Sequence, residues 1–155
     1  MARLPNSVAA FLSGKRFAVT GVSRQPGKFA NAIFRRLRDS GFEVFPVNPN
    51  ANEVEGVPCY PDVVAIPGPI DGVVVATGPG AAPAIVRQCA EKGVKHVWFH
   101  RAFGDGSVSN DAVKECEERG IEAIVGGCPM MYCEPVDAGH RCIRWWLRLL
   151  GRAPG

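Results

Sequence analysis

Short apolar runs recur along this chain at regular intervals, separated by stretches of helical period. Five of them read as strands: 16–20 (RFAVT), 43–47 (EVFPV), 71–77 (DGVVVAT), 94–100 (VKHVWFH) and the segment from 121 (IEAIV). The run at 71–77 is continuous and β-branched, as in a strand covered on both faces. The intervening segments place apolar residues on one helical face. After residue 28 that face carries Phe29, Ile33, Phe34 and Leu37, and Gly41 ends the helix. Further helices are predicted over 79–92, ended by Gly93, and over 111–119, ended by Gly120. A short opening helix is expected at 6–12 behind Asn6 or Ser7, and a terminal helix at about 135–150. Residues 48–56 read as a polar turn, and 57–69 as an irregular, proline-broken stretch with a helical turn near 62–65. Each strand-to-strand unit spans about 25 to 30 residues, the length a right-handed βαβ crossover needs. The pattern predicts one α/β domain over 1–155: a three-layer, Rossmann-like, doubly wound and mainly parallel five-stranded sheet.

Open sheets of this kind bind ligands beyond the carboxyl ends of their strands. That rule selects 20–28, 46–50, 76–80, 99–105 and 126–134. The first is the most informative. Gly21 permits a tight turn out of the strand. The helix expected to start near Gly27 aims free N–H groups and a positive dipole end into the cleft. Ser23 adds a hydroxyl; Arg24 and Lys28 add charge. These are the elements a phosphate or diphosphate needs. The spacing fits neither familiar phosphate motif. A P-loop requires four residues between its glycines and Ser or Thr after the lysine; here five residues separate Gly21 from Gly27, and Phe29 follows Lys28. The dinucleotide fingerprint requires a second glycine where Ser23 stands, and an acidic residue closing the second strand. This chain has Pro46-Val47-Asn48-Pro49 there. Absence of a carboxylate favours a ligand with a phosphorylated ribose over NAD.

Composition narrows the picture. A net charge of +3 is too small to imply nucleic-acid binding. No apolar run approaches the roughly 18 residues of a membrane span, and the N-terminus makes a poor signal peptide, so a cytosolic protein with no membrane partner is expected. Six cysteines (59, 89, 116, 128, 133 and 142) are then free thiols. Cys128, Cys133, His140 and Cys142 lack the paired short spacing of a zinc site, and no metal is expected.

Gly21-Val22-Ser23, Pro26-x-Lys28, Pro46-Val47-Asn48-Pro49, Gly56-x-x-x-Tyr60, Ile70-Asp71 and Val97-Trp98 occur in that order. As an ordered set, over about residues 8–130, they resemble the small stand-alone CoA-binding domain proteins. These are similar in turn to the CoA-binding domain of the succinyl-CoA synthetase α-subunit. The resemblance implies coenzyme A or an acyl-CoA across the carboxyl edge. It implies Gly21, Val22, Ser23 and Arg24 around the phosphates, with Lys28 as an added cation. Pro46, Asn48 and Asn50 would lie near the nucleotide, and Ala76, Thr77 and Gly78 beside the adenine or the pantetheine. Two positions depart from the pattern. Asn50-Ala51 stands where the synthetase carries a lysine, and His100 replaces the glutamine many members have after the fourth strand. The synthetase's phosphohistidine belongs to a domain this chain lacks, so binding without catalysis is the expectation. The alternative is an enzyme using CoA or NAD(P) with His100, lining the cleft, or Cys128 as its reactive group. A third reading is a regulator acting through the terminal helix. That helix, with Arg141, Arg144 and Arg148 among apolar residues, is expected to dock on the domain or on a second copy in a homodimer, with a lipid surface as the alternative.

Overall fold

The structure, a computed structural model, describes residues 4–101, 106–133, 136 and 138–154. After a short helix α1 (Asn6–Leu12), strand β1 (Arg16–Thr20) leads through a loop into α2 (Phe29–Asp39) and β2 (Glu43–Val47). A small hairpin, β3 (Glu53–Val54) and β4 (Val57–Pro58), precedes β5 (Gly72–Val75). Then follow α3 (Ala82–Lys92), β6 (His96–Phe99), α4 (Asn110–Glu118), β7 (Glu122–Val125) and α5 (Ala138–Leu149). The main sheet has the order β2-β1-β5-β6-β7, and all its pairings are parallel. The doubly wound five-stranded sheet expected from the pattern is therefore present.

The apolar runs are continuous because both faces of the sheet are covered. Phe17, Val19, Val74, Trp98 and Ile124 pack toward α1, α2 and α5. Ala18, Val73, Val75, Val97 and Phe99 pack toward α3 and α4. Alternation within a strand thus distributes apolar side chains to two cores. The β1–β5 pairing is where connections diverge: the chain leaves β1 for β2 on one side, and later places β5 on the other. The strand ends are level there, with Thr20 opposite both Val47 and Val75, and Val75 opposite Phe99. A ligand cleft belongs at such a switch point. At the opposite, amino edge, Asp71 accepts hydrogen bonds from the amides of Lys15 (2.8 Å) and Arg16 (2.9 Å). Those two bonds hold its carboxyl below the usual carboxylate range.

Several local expectations change. Phe29 is not on the buried face of α2; it is 73% exposed. The buried arc is centred on Ala30, Ile33 and Leu37, and the first residue of the helix falls roughly 90° from that centre at 100° per residue. The helix starts at Phe29 behind Lys28, two residues later than expected. The polar turn at 48–56 contains β3, closed by Glu55 (φ 52°) and Gly56 (φ 75°), a two-residue hairpin connection. Its two-residue strands are too short to show period. The strand expected over 71–77 stops at Val75, because the Ala76 amide donates to the Thr20 side-chain hydroxyl (3.2 Å) instead of a neighbouring strand's carbonyl. The strand expected over 94–100 is His96–Phe99. The helix expected from residue 79 opens with a 3₁₀ turn, Pro79–Ala81, before α3. The start expected near 135 for the terminal helix falls partly outside the described residues.

Candidate functional site

Two hollows open on the carboxyl edge, and they meet at Thr77. The first, about 590 Å³, lies over the ends of β1 and β2 and is lined by Gly21, Asn48, Asn50 and Thr77, with Asp62 and Gln88 opposite. Pro49, Ala81, Ala84 and Ile85 give it apolar walls. The second, about 270 Å³, lies over β5 and β6 between Phe29, Ala76, Thr77, Gly78, His100 and Ser107. The buried Thr77 hydroxyl has no hydrogen-bond partner among the described residues. Unmet polar capacity at a cleft is what an incoming ligand can satisfy.

Between the hollows runs the loop after β1. Gly21 has φ 85°, a left-handed conformation that side chains disfavour. Its amide donates to the Val47 carbonyl (3.0 Å), so the loop leaves the sheet tied to β2. Asn48 ties the same two segments again, donating from Nδ2 to the Val22 carbonyl (2.9 Å) and accepting the Asn50 amide (2.8 Å). The Ser23 amide donates to Asn31 Oδ1 (3.0 Å), and Asn31 Nδ2 donates to the Ser23 carbonyl (2.7 Å) and to Glu55 (2.8 Å). Arg35 closes the set on Glu55 at 2.6 Å. The loop is thus preorganised by buried side chains of α2 and the hairpin. Among the described residues no side chain caps α2, which leaves its first-turn N–H groups open to an anion. Arg24 and Lys28 are exposed beside it.

Of the residues picked out from the sequence, Gly21, Asn48, Asn50 and Thr77 line the first hollow. Ala76, Thr77, Gly78 and His100 line the second. Val22 is fully buried in the core, so only its backbone faces the loop. Pro46 is buried within β2 opposite Val19 and lines neither hollow. The Ser23 hydroxyl is engaged in its own turn, donating to the Gln25 carbonyl (3.3 Å) while accepting the Gln25 amide (3.0 Å). A carboxylate does reach the first hollow, from the proline-broken segment: Asp62, at the start of the turn expected near 62–65, whose Oδ1 accepts the Ala65 amide (2.8 Å). Asn31 and Glu55 also went unnoticed. Their signals were a buried-face asparagine in an amphipathic helix and a Glu-Gly turn, and neither points to a site without the fold.

His100 sits under the Phe29 ring, 5.8 Å between centroids. Burial, and secondly the nearby His140, hold its imidazole below the usual histidine range, favouring the uncharged ring. Cys128 is 4% exposed in the core and lines neither hollow. Cys89 and Cys116 are buried thiols, as their helical positions predicted; burial pushes Cys116 up to about 11. Among the described residues no three His, Cys, Asp or Glu side chains converge as a metal site, and no helix is long and apolar enough to cross a membrane.

The fold and its edge define a nucleotide-type binding domain, and comparison with known proteins makes this specific. The model of the CoA binding domain matches residues 15–134, and the chain belongs to that family. The uncharacterized protein YneT of Bacillus subtilis is 30% identical over 114 residues, covering 74% of this chain and 82% of that protein. An ADP-forming acetate–CoA ligase of Archaeoglobus fulgidus is 32% identical over 120 residues, but this chain spans only 18% of its length. A second ligase of that organism is 37% identical over 83 residues, 52% of this chain and 12% of the ligase. A solved structure of a hypothetical protein from Pyrococcus horikoshii superposes with a TM-score of 0.77 at 29% identity, covering 88% of this chain and 98% of that one.

Proposed function

We propose that this chain binds coenzyme A, free or as an acyl-CoA, as a binding module without a reaction of its own. The observation that carries the reading is the pair of hollows meeting at Thr77 beside the residue 21–28 loop. The larger, with apolar walls and amide groups, suits an adenine and its ribose, and lies within the usual size range of small-molecule sites. Asn48, Asn50 and Gln88 supply its uncharged polar partners, and the Asp62 carboxylate, which would repel a ribose phosphate, suits only the adenine amine. The uncapped start of α2, with Arg24 and Lys28, suits the phosphates. The smaller hollow receives the pantetheine end. Coenzyme A supplies the thiol; the chain's own residues position it. Among the described lining residues of the second hollow no carboxylate stands beside His100 to orient it as a base. Cys128 is out of reach of a ligand thiol, which weighs against the enzyme alternative. The ligase activity in the relatives' names belongs to proteins of which this chain spans a small part. Free thiols at all six cysteines suit a reducing compartment, and we place the protein in the cytosol.

Thermal denaturation with CoA, acetyl-CoA, NAD, NADP and ATP tests the reading. CoA at a hundred times its Kd should add about 2.7 kcal/mol, roughly 5–10 °C for a domain of this size. Lys28→Ala should weaken CoA about five- to tenfold by removing one phosphate cation. A shift with NADP and none with millimolar CoA would overturn the proposal.

Self-association belongs to the same reading. Helix α5 buries only Leu147 among its described side chains, and Arg144 anchors it by donating to the Met131 carbonyl (2.7 Å). Trp145, Trp146 and Leu149 remain exposed. An unpartnered patch of this kind marks an interface. Sedimentation velocity should show a dimer for the wild type and a monomer for Trp145→Glu.

A further inference from the structure

Resting on the CoA reading, we infer that Phe29 and His100 form a specificity wall in the second hollow that admits a free thiol or a short uncharged acyl group and rejects acyl groups that are long or end in a carboxylate. The argument begins with which part of the ligand arrives there. Gly21 lines the first hollow, and a Cβ on it would touch Ala76 and Thr77, which line the second. The phosphate loop therefore sits at the junction. A ligand with its nucleotide in the larger hollow sends its sulfur end into the smaller one.

Size sets the first limit. The second hollow, about 270 Å³, is less than half the size of the first, about 590 Å³. The end of the pantetheine arm takes much of that space, so the walls cover a few acyl atoms at most and a long chain would run past them unpacked. Charge sets the second limit. No lysine or arginine is among the described residues lining this hollow. Its walls are the Phe29 ring, the imidazole it packs on, and the backbone of Ala76, Gly78 and Gly106. A neutral imidazole offers hydrogen bonding without a compensating positive charge, and a carboxylate placed against it loses its hydration unpaired. A thioester carbonyl loses far less, because His100 and Ser107 supply polar atoms for it. Ser107, only 3% exposed, is held there by its amide, which donates to the His100 carbonyl (2.8 Å).

Titration calorimetry of the full chain with CoA, acetyl-CoA, succinyl-CoA and palmitoyl-CoA, the last below its micellar concentration, tests the inference. CoA and acetyl-CoA should bind within about threefold of one another, and succinyl-CoA and palmitoyl-CoA at least tenfold more weakly. His100→Lys places a cation in the wall, and the ratio of acetyl- to succinyl-CoA affinity should fall toward one whatever the absolute affinities. Equal affinity of the wild type for acetyl- and succinyl-CoA, or for acetyl- and palmitoyl-CoA, overturns the wall and leaves CoA binding standing. Failure of CoA itself to bind overturns both.

Discussion

Replacing Trp98 by alanine should cost about 3–5 kcal/mol, the usual range for deleting a buried large aromatic. For a domain of this size that is a fall in Tm of roughly 10–15 °C. Trp98 lies in β6 with no exposed surface, between Val74 and Ile124 on the neighbouring strands. Its ring meets Phe11 edge-on at 5.4 Å and Tyr132 at 5.8 Å, joining α1, the sheet and the segment before α5. Its Nε1 donates to the Gly126 carbonyl (2.9 Å). Truncation leaves a cavity and strips that carbonyl of its partner, two separate costs. Trp98→Phe keeps most of the volume and should lose about 1–2 kcal/mol, mainly the hydrogen bond. Urea denaturation of the three proteins measures both steps. A loss below about 1 kcal/mol for the alanine variant would mean that α1 and the 129–133 turn collapse into the space. The same substitution should reach the cleft, because the glycine turn that Trp98 anchors accepts the Arg101 amide at Gly127 (3.0 Å), one residue beyond His100.

Residues 16–20 and 72–75 were readable as strands because they are buried on both faces, which removes the polar alternation and leaves an apolar run, whereas 43–47, at the sheet edge, is buried only toward Pro46 and Val47. The parallel arrangement followed from crossover length, and the carboxyl edge as the place to look for a ligand from the general rule for open α/β sheets. Of the twelve residues picked from the sequence, seven line the two hollows because they stand just past the strands' carboxyl ends; Val22, Ser23, Arg24, Lys28 and Pro46 line neither. What the pattern hid depends on packing between distant segments. Phe29 is apolar and at helical spacing, and only the rotation of α2 on the sheet turns it outward over His100. Asp62 enters the cleft because a proline-broken segment folds back beside α3, where its neighbour Val63 donates its amide to Gln88 (3.2 Å). Asn31 and Glu55 lie 24 residues apart yet share a 2.8 Å hydrogen bond beneath the 21–28 loop. No period or motif encodes such a pair.

Gly21→Ala should weaken CoA binding at least tenfold while leaving a folded protein. Alanine at φ 85° adopts a left-handed backbone at a cost of about 1–2 kcal/mol. Its Cβ would stand 3.0 Å from the Ala76 carbonyl oxygen and 3.2 Å from Thr77 Cγ2. The first of these is backbone and has no rotamer with which to yield. Relief requires the Ala76–Thr77 segment to shift, and that segment is the wall common to both hollows. Stability should therefore fall by roughly 1–3 kcal/mol, within the margin of a domain of this size. Circular dichroism establishes the fold, and calorimetry with CoA then reads the binding loss separately. Gly80→Ala is the matched control: its Cβ would meet nothing within 4 Å, and its backbone is not left-handed. It should bind CoA as the wild type does. If Gly21→Ala also binds as tightly as wild type, the ligand does not bear on the Ala76–Thr77 wall. The two hollows are then separate features of the surface, and the nucleotide and the thiol end must be sought elsewhere along the edge.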